Sequence, residues 1–303
     1  MESEARKLPG EAIQLYNLFI HGEISRRSFM DGLQKFAVGG ITTAFLIEAL
    51  MPNYAAGQQV SKTDERIKTS YETVPSPQGN GSIKGYLVRP VSADTREAKA
   101  AKLPGIIVVH ENRGLNPHIE DVARRFALAG FMAFAPDGLT SLGGFPGDDY
   151  RGGQMFQKVD GKKMAEDMVA SAMWLKARAD CTGKIGVTGF CYGGGVSNTL
   201  AVRLGADLAA AAPFYGGPPA KDDVAKIKGA ILVHHGELDT RLAATWPAYN
   251  EALTAANVPH EGYIYPGAVH GFHCDATPER YNKPAADLAW SRTVGWFDKY
   301  VKA

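Results

Sequence analysis

Ile185-Gly186-Val187-Thr188-Gly189-Phe190-Cys191-Tyr192-Gly193-Gly194-Gly195-Val196 runs from a β-branched apolar strand through glycines into a helix. The pattern is G-x-C-x-G, a sharp strand-to-helix turn that pushes its central residue out of the chain. Such a turn crowds the positions two before and two after its apex against the helix and the neighbouring strand, and Gly189 and Gly193 meet that demand. The apex also lies at a helix N-terminus, where backbone N–H groups favour an anion and lower the pKa of a thiol. Cys191 is therefore a candidate nucleophile. The competing reading is one more buried cysteine, so the decision rests on whether a base and an orienting acid follow at strand ends.

Both follow. The apolar run Ala230–His234 leads into His235-Gly236-Glu237-Leu238-Asp239, and a later strand leads into Tyr265-Pro266-Gly267-Ala268-Val269-His270-Gly271-Phe272. Asp239 lies 48 residues beyond Cys191 and His270 a further 31 beyond Asp239, each about one strand-helix-strand step. Nucleophile, acid, histidine is the chain order that this architecture uses. Glu237 is a rival for the acid and His273 for the base. Adjacent His234 and His235 invite a metal reading, but neighbouring residues on a strand point to opposite faces and do not chelate one ion together.

Outward from the turn, short apolar runs alternate with amphipathic stretches. Strands are expected at Gly85–Arg89, Gly105–His110, Phe131–Ala135, Lys184–Thr188, Ala209–Phe214, Ala230–His234 and Glu261–Ile264. Helices are expected at Ile119–Ala129, Lys162–Arg178, Gly194–Leu204, Ala243–Ala256 and Ala285–Lys299. The expected class is α/β, a mostly parallel central sheet with helices on both faces. It forms one catalytic domain over 60–303, preceded by an N-terminal helical segment over 1–59. The polar, glycine-rich stretch Gly138–Gly161 has no clear period and reads as a lid or binding loop.

The chain has 303 residues, 45% hydrophobic and 21% charged, the profile of a globular protein that needs no disulfide staples. Lys plus Arg total 33 against 32 for Asp plus Glu, a net charge of +1, which leaves no basic surplus for a phosphate backbone and argues against nucleic acid as a partner. Three cysteines cannot form a disulfide framework.

The first sixty residues read differently. Lys7–Ile20 has apolar positions at helical spacing, broken by Gly22 before Ser25-Arg26-Arg27-Ser28-Phe29-Met30. Phe36–Ile47 is uncharged, the length of a signal-peptide core and too short to cross a bilayer, so stable membrane insertion is not expected. The paired arginines with that core and Tyr54-Ala55-Ala56 resemble a twin-arginine export signal, implying a periplasmic, exported protein. The alternative is a helical hairpin of a cytoplasmic protein that packs on the body or on a second subunit, a route to a homo-oligomer.

Gly189-Phe190-Cys191-Tyr192-Gly193-Gly194, Asp239, His270-Gly271-Phe272 and His110-Glu111-Asn112-Arg113-Gly114 together resemble the dienelactone hydrolase family, the carboxymethylenebutenolidases of the α/β-hydrolase superfamily. The resemblance covers roughly residues 80–303. It implies an α/β-hydrolase fold with Cys191 as nucleophile, His270 as base, Asp239 as its orienting partner, and Glu111 as the glutamate that holds the resting thiol. Backbone N–H groups of Tyr192 and Asn112 are the expected oxyanion hole: one follows the nucleophile, the other leaves the loop after the Gly105–His110 strand. A negative Glu111 raises a nearby thiol pKa while the helix N-terminus lowers it.

The sequence departs from the family where substrate is held. Pro136-Asp137 leads into Gly138-Leu139-Thr140-Ser141 with no arginine, and Gly271 and Cys274 stand where the family has a serine and a second arginine. Arg113 and Arg151 are the candidate substrate-binding cations. The expected activity is hydrolysis of a small-molecule ester or lactone through an acyl-enzyme, requiring neither metal nor organic cofactor. A thioesterase or peptidase on the same scaffold, or a non-catalytic binding protein, are the alternatives.

Overall fold

The computed structural model describes residues 8–20, 23–38, 42–91 and 102–302; Gly22 and the middle of the Phe36–Ile47 run lie outside them. Eight strands form one sheet: β1 (Ile67–Ser76), β2 (Gly81–Pro90), β3 (Leu103–Val109), β4 (Met132–Pro136), β5 (Cys181–Phe190), β6 (Ala210–Phe214), β7 (Ala230–Gly236) and β8 (His260–Tyr265). Their order is β1-β2-β4-β3-β5-β6-β7-β8. The β1–β2 and β2–β4 pairs are antiparallel and the rest are parallel.

The central strands are apolar throughout because both of their faces are covered. On β3, Ile106 and Val108 join one core while Ile107 and Val109 join the other, the two-residue alternation of a pleated strand. The first core lies under α5 (Pro117–Leu128) and α11 (Lys283–Phe297), the second under α7 (Gly161–Ala177), α8 (Tyr192–Leu204) and α10 (Trp246–Ala255). This is the α/β arrangement that the strand and helix alternation implies, and the α/β-hydrolase fold that the family resemblance implies.

Three elements differ from the sequence expectation. β1 is an additional strand whose mixed polar sequence, with Tyr71 exposed, suits a sheet edge and hides its period. The helix expected over 243–256 starts later, at Trp246 of α10, with a separate short α9 (Thr240–Ala243) before it, because Pro247 starts a helix well but cannot continue one. The stretch from Gly138 to Gly161 carries a turn of 3-10 helix at Thr140–Leu142 and a helix, α6 (Asp149–Phe156), N-capped by the Asp148 side chain on the Arg151 N–H. The Gly152-Gly153 pair conceals that helix, and Gly152 is needed there: a Cβ on it would lie 2.3 Å from the Arg113 carbonyl oxygen.

The N-terminal segment forms α1 (Gly10–Ile20), α2 (Arg26–Gln34), α3 (Thr43–Leu50) and the short α4 (Tyr54–Gly57). Leu8, Ala12, Tyr16, Phe29, Leu33, Leu46 and Leu50 bury against one another as a small separate core. Ser25 caps α2 through the Ser28 N–H, so the Ser-Arg-Arg-Ser stretch is a helix start with Phe29 buried behind it. Among the described residues no helix is long and apolar enough to cross a membrane.

The segment joins the body at Val60 through a buried charge network on α5. Asp121 accepts from the Val60 N–H (2.8 Å) and the Gln59 N–H (3.2 Å), while Arg124, fully buried, donates from Nε to the Val60 carbonyl (2.8 Å) and from Nη2 to Asp121 (3.3 Å). Arg125 also donates to Asp121. Removing a buried carboxylate strands its cations. Asp121→Ala is expected to cost about 3 to 5 kcal/mol, read as a lower urea midpoint at an unchanged slope.

Candidate active site

Cys191 sits between β5 and α8 with φ 55° and ψ −111°, a left-handed conformation that a side chain adopts only when its surroundings enforce it. The enforcement is visible in the glycines. A Cβ on Gly189 would lie 2.2 Å from the Gly193 oxygen, one on Gly193 2.3 Å from the Val109 oxygen, and one on Gly194 2.4 Å from the Phe214 oxygen. The start of α8 thus rests directly on the ends of β3 and β6. The Cys191 N–H donates to the Phe214 carbonyl at 3.1 Å, and the thiol is half-buried at the helix N-terminus. Cys181 and Cys274 are buried, and among the described residues no disulfide joins any of the three cysteines.

Register delivers the remaining groups. Val109 pairs with Gly189, so the turn Glu111–Arg113, closed by Arg113 N–H donating to the Glu111 carbonyl at 2.8 Å, lies beside the thiol. Tyr192 is the first residue of α8, so its N–H has no acceptor within the helix. These are the two expected oxyanion donors. Gly236 pairs with Tyr265, which aligns the β7 and β8 loops; Leu238 N–H donates to the Ala268 carbonyl at 2.9 Å. Asp239 and His270 project from these loops and meet, His270 Nδ1 donating to Asp239 Oδ2 at 2.6 Å. Glu237 instead accepts from the Gly267 N–H at 2.9 Å and braces the β8 turn.

Burial alone pushes the His270 pKa down, but the negative sulfur of Cys191 and the Asp239 carboxylate, each also hydrogen-bonded to the ring, raise it to about 10. Asp239 moves the other way: burial opposes ionisation, and the His270 contact overrides it and lowers the pKa. The structure therefore brings Cys191, His270 and Asp239 into one interacting set.

His110, His234, His235 and His273 are core residues. His234 bridges Tyr265 Oη and Thr293 Oγ1, both at 2.9 Å, and burial holds its pKa well below the ordinary value. Burial drops His235 to about 4. His273 packs between Phe190 and Phe214 and is likewise kept neutral by burial. His110 donates from Nδ1 to the Glu111 carbonyl and accepts the Gly138 N–H at Nε2 (2.9 Å), which fixes the turn beneath Glu111. Among the described residues no three His, Cys, Asp or Glu side chains converge as metal ligands.

Glu111 is 5% exposed; burial works against its charge, and Arg113, Arg280, His118 and His270 together outweigh it and lower its pKa. Its negative charge thus comes with two buried guanidiniums beside it. Arg113 is 3% exposed and ion-paired with Asp149 at 2.7 Å, and Arg151 lies exposed on α6.

Two residues outside the sequence candidates join the site. Tyr215, at φ 38° just past β6, lays its ring 4.9 Å from His270, and burial followed by the nearby Glu111 charge raises its phenol pKa. An aromatic between a strand end and Gly216-Gly217 is its only signal in the sequence. Arg280, 3% exposed, reaches the His270-Gly271 turn, where a Cβ on Gly271 would lie 2.9 Å from its Nη1.

The sequence profile of the Dienelactone hydrolase family matches residues 83–301. The chain belongs to the dienelactone hydrolase family. An Escherichia coli O157:H7 protein named "Putative carboxymethylenebutenolidase" is 30% identical over 257 residues, covering 80% of this chain and 90% of its own. The crystal structure described as "Putative Dienelactone Hydrolase" from Klebsiella pneumoniae superposes with a TM-score of 0.66 at 28% identity, over 77% of this chain and 99% of that one. A dienelactone hydrolase from Anabaena variabilis shares the fold at a TM-score of 0.60 and 18% identity, over 78% of this chain and all of its own.

The contact of His270 with Cys191 and Asp239 has a pH signature. A histidine whose folded pKa of about 10 lies above its ordinary 6.5 contributes stability that is complete below about pH 6.5 and is lost as pH rises through about 10. In Cys191→Ala the sulfur's charge is gone, so the His270 pKa is expected to fall toward the ordinary value; an NMR titration of the imidazole Cε1–H in both proteins checks this.

Proposed function

We propose that this dienelactone hydrolase family member hydrolyses a small carboxylic ester or lactone through a Cys191-His270-Asp239 triad and a thioester intermediate. The observation that carries the reading is a thiol held at a strained strand-to-helix turn against a histidine whose far nitrogen is bonded to Asp239 at 2.6 Å. The raised His270 pKa supports it, because a ring that keeps its proton beside sulfur leaves the thiolate as the nucleophile.

In the first half, Cys191 Sγ attacks the carbonyl carbon, the C–S bond forms and the carbonyl π electrons move to oxygen. The Tyr192 and Asn112 N–H groups donate to that oxyanion. Each such donor contributes about 3 to 4 kcal/mol to the transition state. The intermediate collapses as the C–O bond to the alcohol breaks, and His270 Nε2–H gives its proton to the leaving oxygen. In the second half, water attacks the thioester, His270 takes the water proton, and the C–S bond breaks to release acid and regenerate the thiolate–imidazolium pair. Asp239 holds the ring in the orientation both halves require. Glu111, kept charged by Arg113 and Arg280, is the carboxylate that in this reading holds the resting thiol.

Hydrolysis of p-nitrophenyl acetate and a simple lactone by wild type and Cys191→Ala tests this. The variant is expected to lose at least about a thousandfold in kcat/KM, with an initial burst in wild type only. Equal turnover by both proteins removes Cys191 from the reaction.

A further inference from the structure

Helix α1 docks on the body along its whole length. Just before its start, the Leu8 N–H donates to Glu279 Oε2 at 3.4 Å. At its middle, the Tyr16 ring lies under two buried guanidiniums, 5.9 Å from Arg113 and 5.5 Å from Arg280. At its end, the Phe19 ring stacks on Tyr150 of α6 at 5.8 Å, and the Ile20 carbonyl accepts from Asn112 Nδ2 at 2.8 Å. α1 lies outside residues 83–301, so it is an addition to the family body.

The Ile20 contact falls on the central residue of the turn Glu111–Arg113. That turn is closed by the bond from the Arg113 N–H to the Glu111 carbonyl at 2.8 Å, and the closure does not use the Asn112 N–H. One such bond fixes the bend, while the direction of the whole turn is set by what it is fastened to. On its inner side His110 holds it, bonded to the Glu111 carbonyl and to the Gly138 N–H. On its outer side Arg113 Nη1 reaches Asp149 at 2.7 Å and the Tyr16 hydroxyl at 3.5 Å, and Asn112 reaches Ile20. Ile20 suits this role because it is the last residue of α1. Carbonyls in the last turn of a helix have no N–H ahead of them within the helix and carry its negative end, so a side-chain amide N–H is a fitting donor for one of them.

We propose that the Asn112 side chain is a positioning group: held by the Ile20 carbonyl, it aims the Asn112 main-chain N–H at the oxyanion and makes α1 a working part of the active site. The inference rests on the hydrolase reading, which takes that N–H as an oxyanion donor. The helix that precedes Ser25-Arg26-Arg27-Ser28 then belongs to the working enzyme.

Asn112→Leu keeps the bulk of the side chain and Asn112→Ala removes it; neither donates to Ile20, and both retain the main-chain N–H. For p-nitrophenyl acetate each is expected to lose about tenfold or more in kcat with KM held within about twofold, less than the hundredfold or more that follows outright removal of a donor. The rate at which iodoacetamide alkylates Cys191, resolved from Cys181 and Cys274 by mass spectrometry, is expected to stay at the wild-type value. That displacement forms the S–C bond as iodide leaves and develops no oxyanion. An arm without turnover uses 1,1,1-trifluoroacetone: Cys191 Sγ adds to its carbonyl carbon, the π electrons move to oxygen and nothing departs, so its protection of Cys191 against iodoacetamide reads the oxyanion site. Both variants are expected to need about tenfold more ketone for the same protection. Unchanged kcat beside an active wild type, protection equal in wild type and variants, or alkylation that slows in step with kcat overturns the positioning role. If wild type turns over no ester or lactone while the ketone protects it about tenfold better than the variants, the hydrolase reading fails and the positioning role stands. Should one variant fail to fold, read by its urea midpoint, the other carries the test.

Discussion

The site depends on one steric fact: the carbonyl of Gly193 occupies the space that a side chain on Gly189 would need. That approach lets β5 turn into α8 within one residue and places Cys191 in a conformation that costs of order 1 to 3 kcal/mol. The cost is borne by the sheet. Gly193 rests on β3, Gly194 on the end of β6 and Gly216, and the Cys191 N–H is bonded to Phe214, so the sulfur is located by main-chain atoms of three strands. Side-chain packing around the thiol then refines a position already set.

Charge is arranged with equal economy. The interior beside the thiol holds a carboxylate, Glu111, and two guanidiniums, Arg113 and Arg280, none of them more than 5% exposed. Arg113 is shared between Asp149 on α6 and the Tyr16 hydroxyl on α1, so a single cation ties together the oxyanion turn, the helix after β4 and the N-terminal segment. A buried ion is tolerable when it has a partner, as Arg113 has in Asp149. These elements come from three distant parts of the chain.

The central sheet was legible in the residues because parallel strands covered on both faces read as continuous apolar runs, as in Gly105–His110 and Ala230–His234. The elbow was legible because its steric rule falls on adjacent residues, Gly189 to Gly193. Asp239 and His270 followed from chain order and loop position, and the choice between Asp239 and Glu237 is explained by the Gly267 N–H, a contact with no trace in the sequence. β1 was hidden by its polar edge face and α6 by Gly152-Gly153, whose small size serves the Arg113 carbonyl rather than helix propensity. Arg280 and Tyr16 were beyond reach for a different reason: the place of Arg280 at the His270-Gly271 turn and of Tyr16 against Arg113 and Arg280 comes from tertiary packing of segments more than 75 residues from Cys191 in either direction. The N-terminal helices were anticipated, but the Ser-Arg-Arg-Ser stretch alone does not reveal that Arg26 lies on Tyr150 and Phe29 in a small core.

Locating the reactive atom by main-chain contacts has an evolutionary reading. A serine at position 191 would inherit the same dihedral angles, the same hydrogen bond to Phe214 and the same facing imidazole, since none of these involves the sulfur's size. Exchange of thiol for hydroxyl at position 191 is therefore a one-residue change that leaves the backbone cradle of Gly189, Gly193 and Gly194 intact.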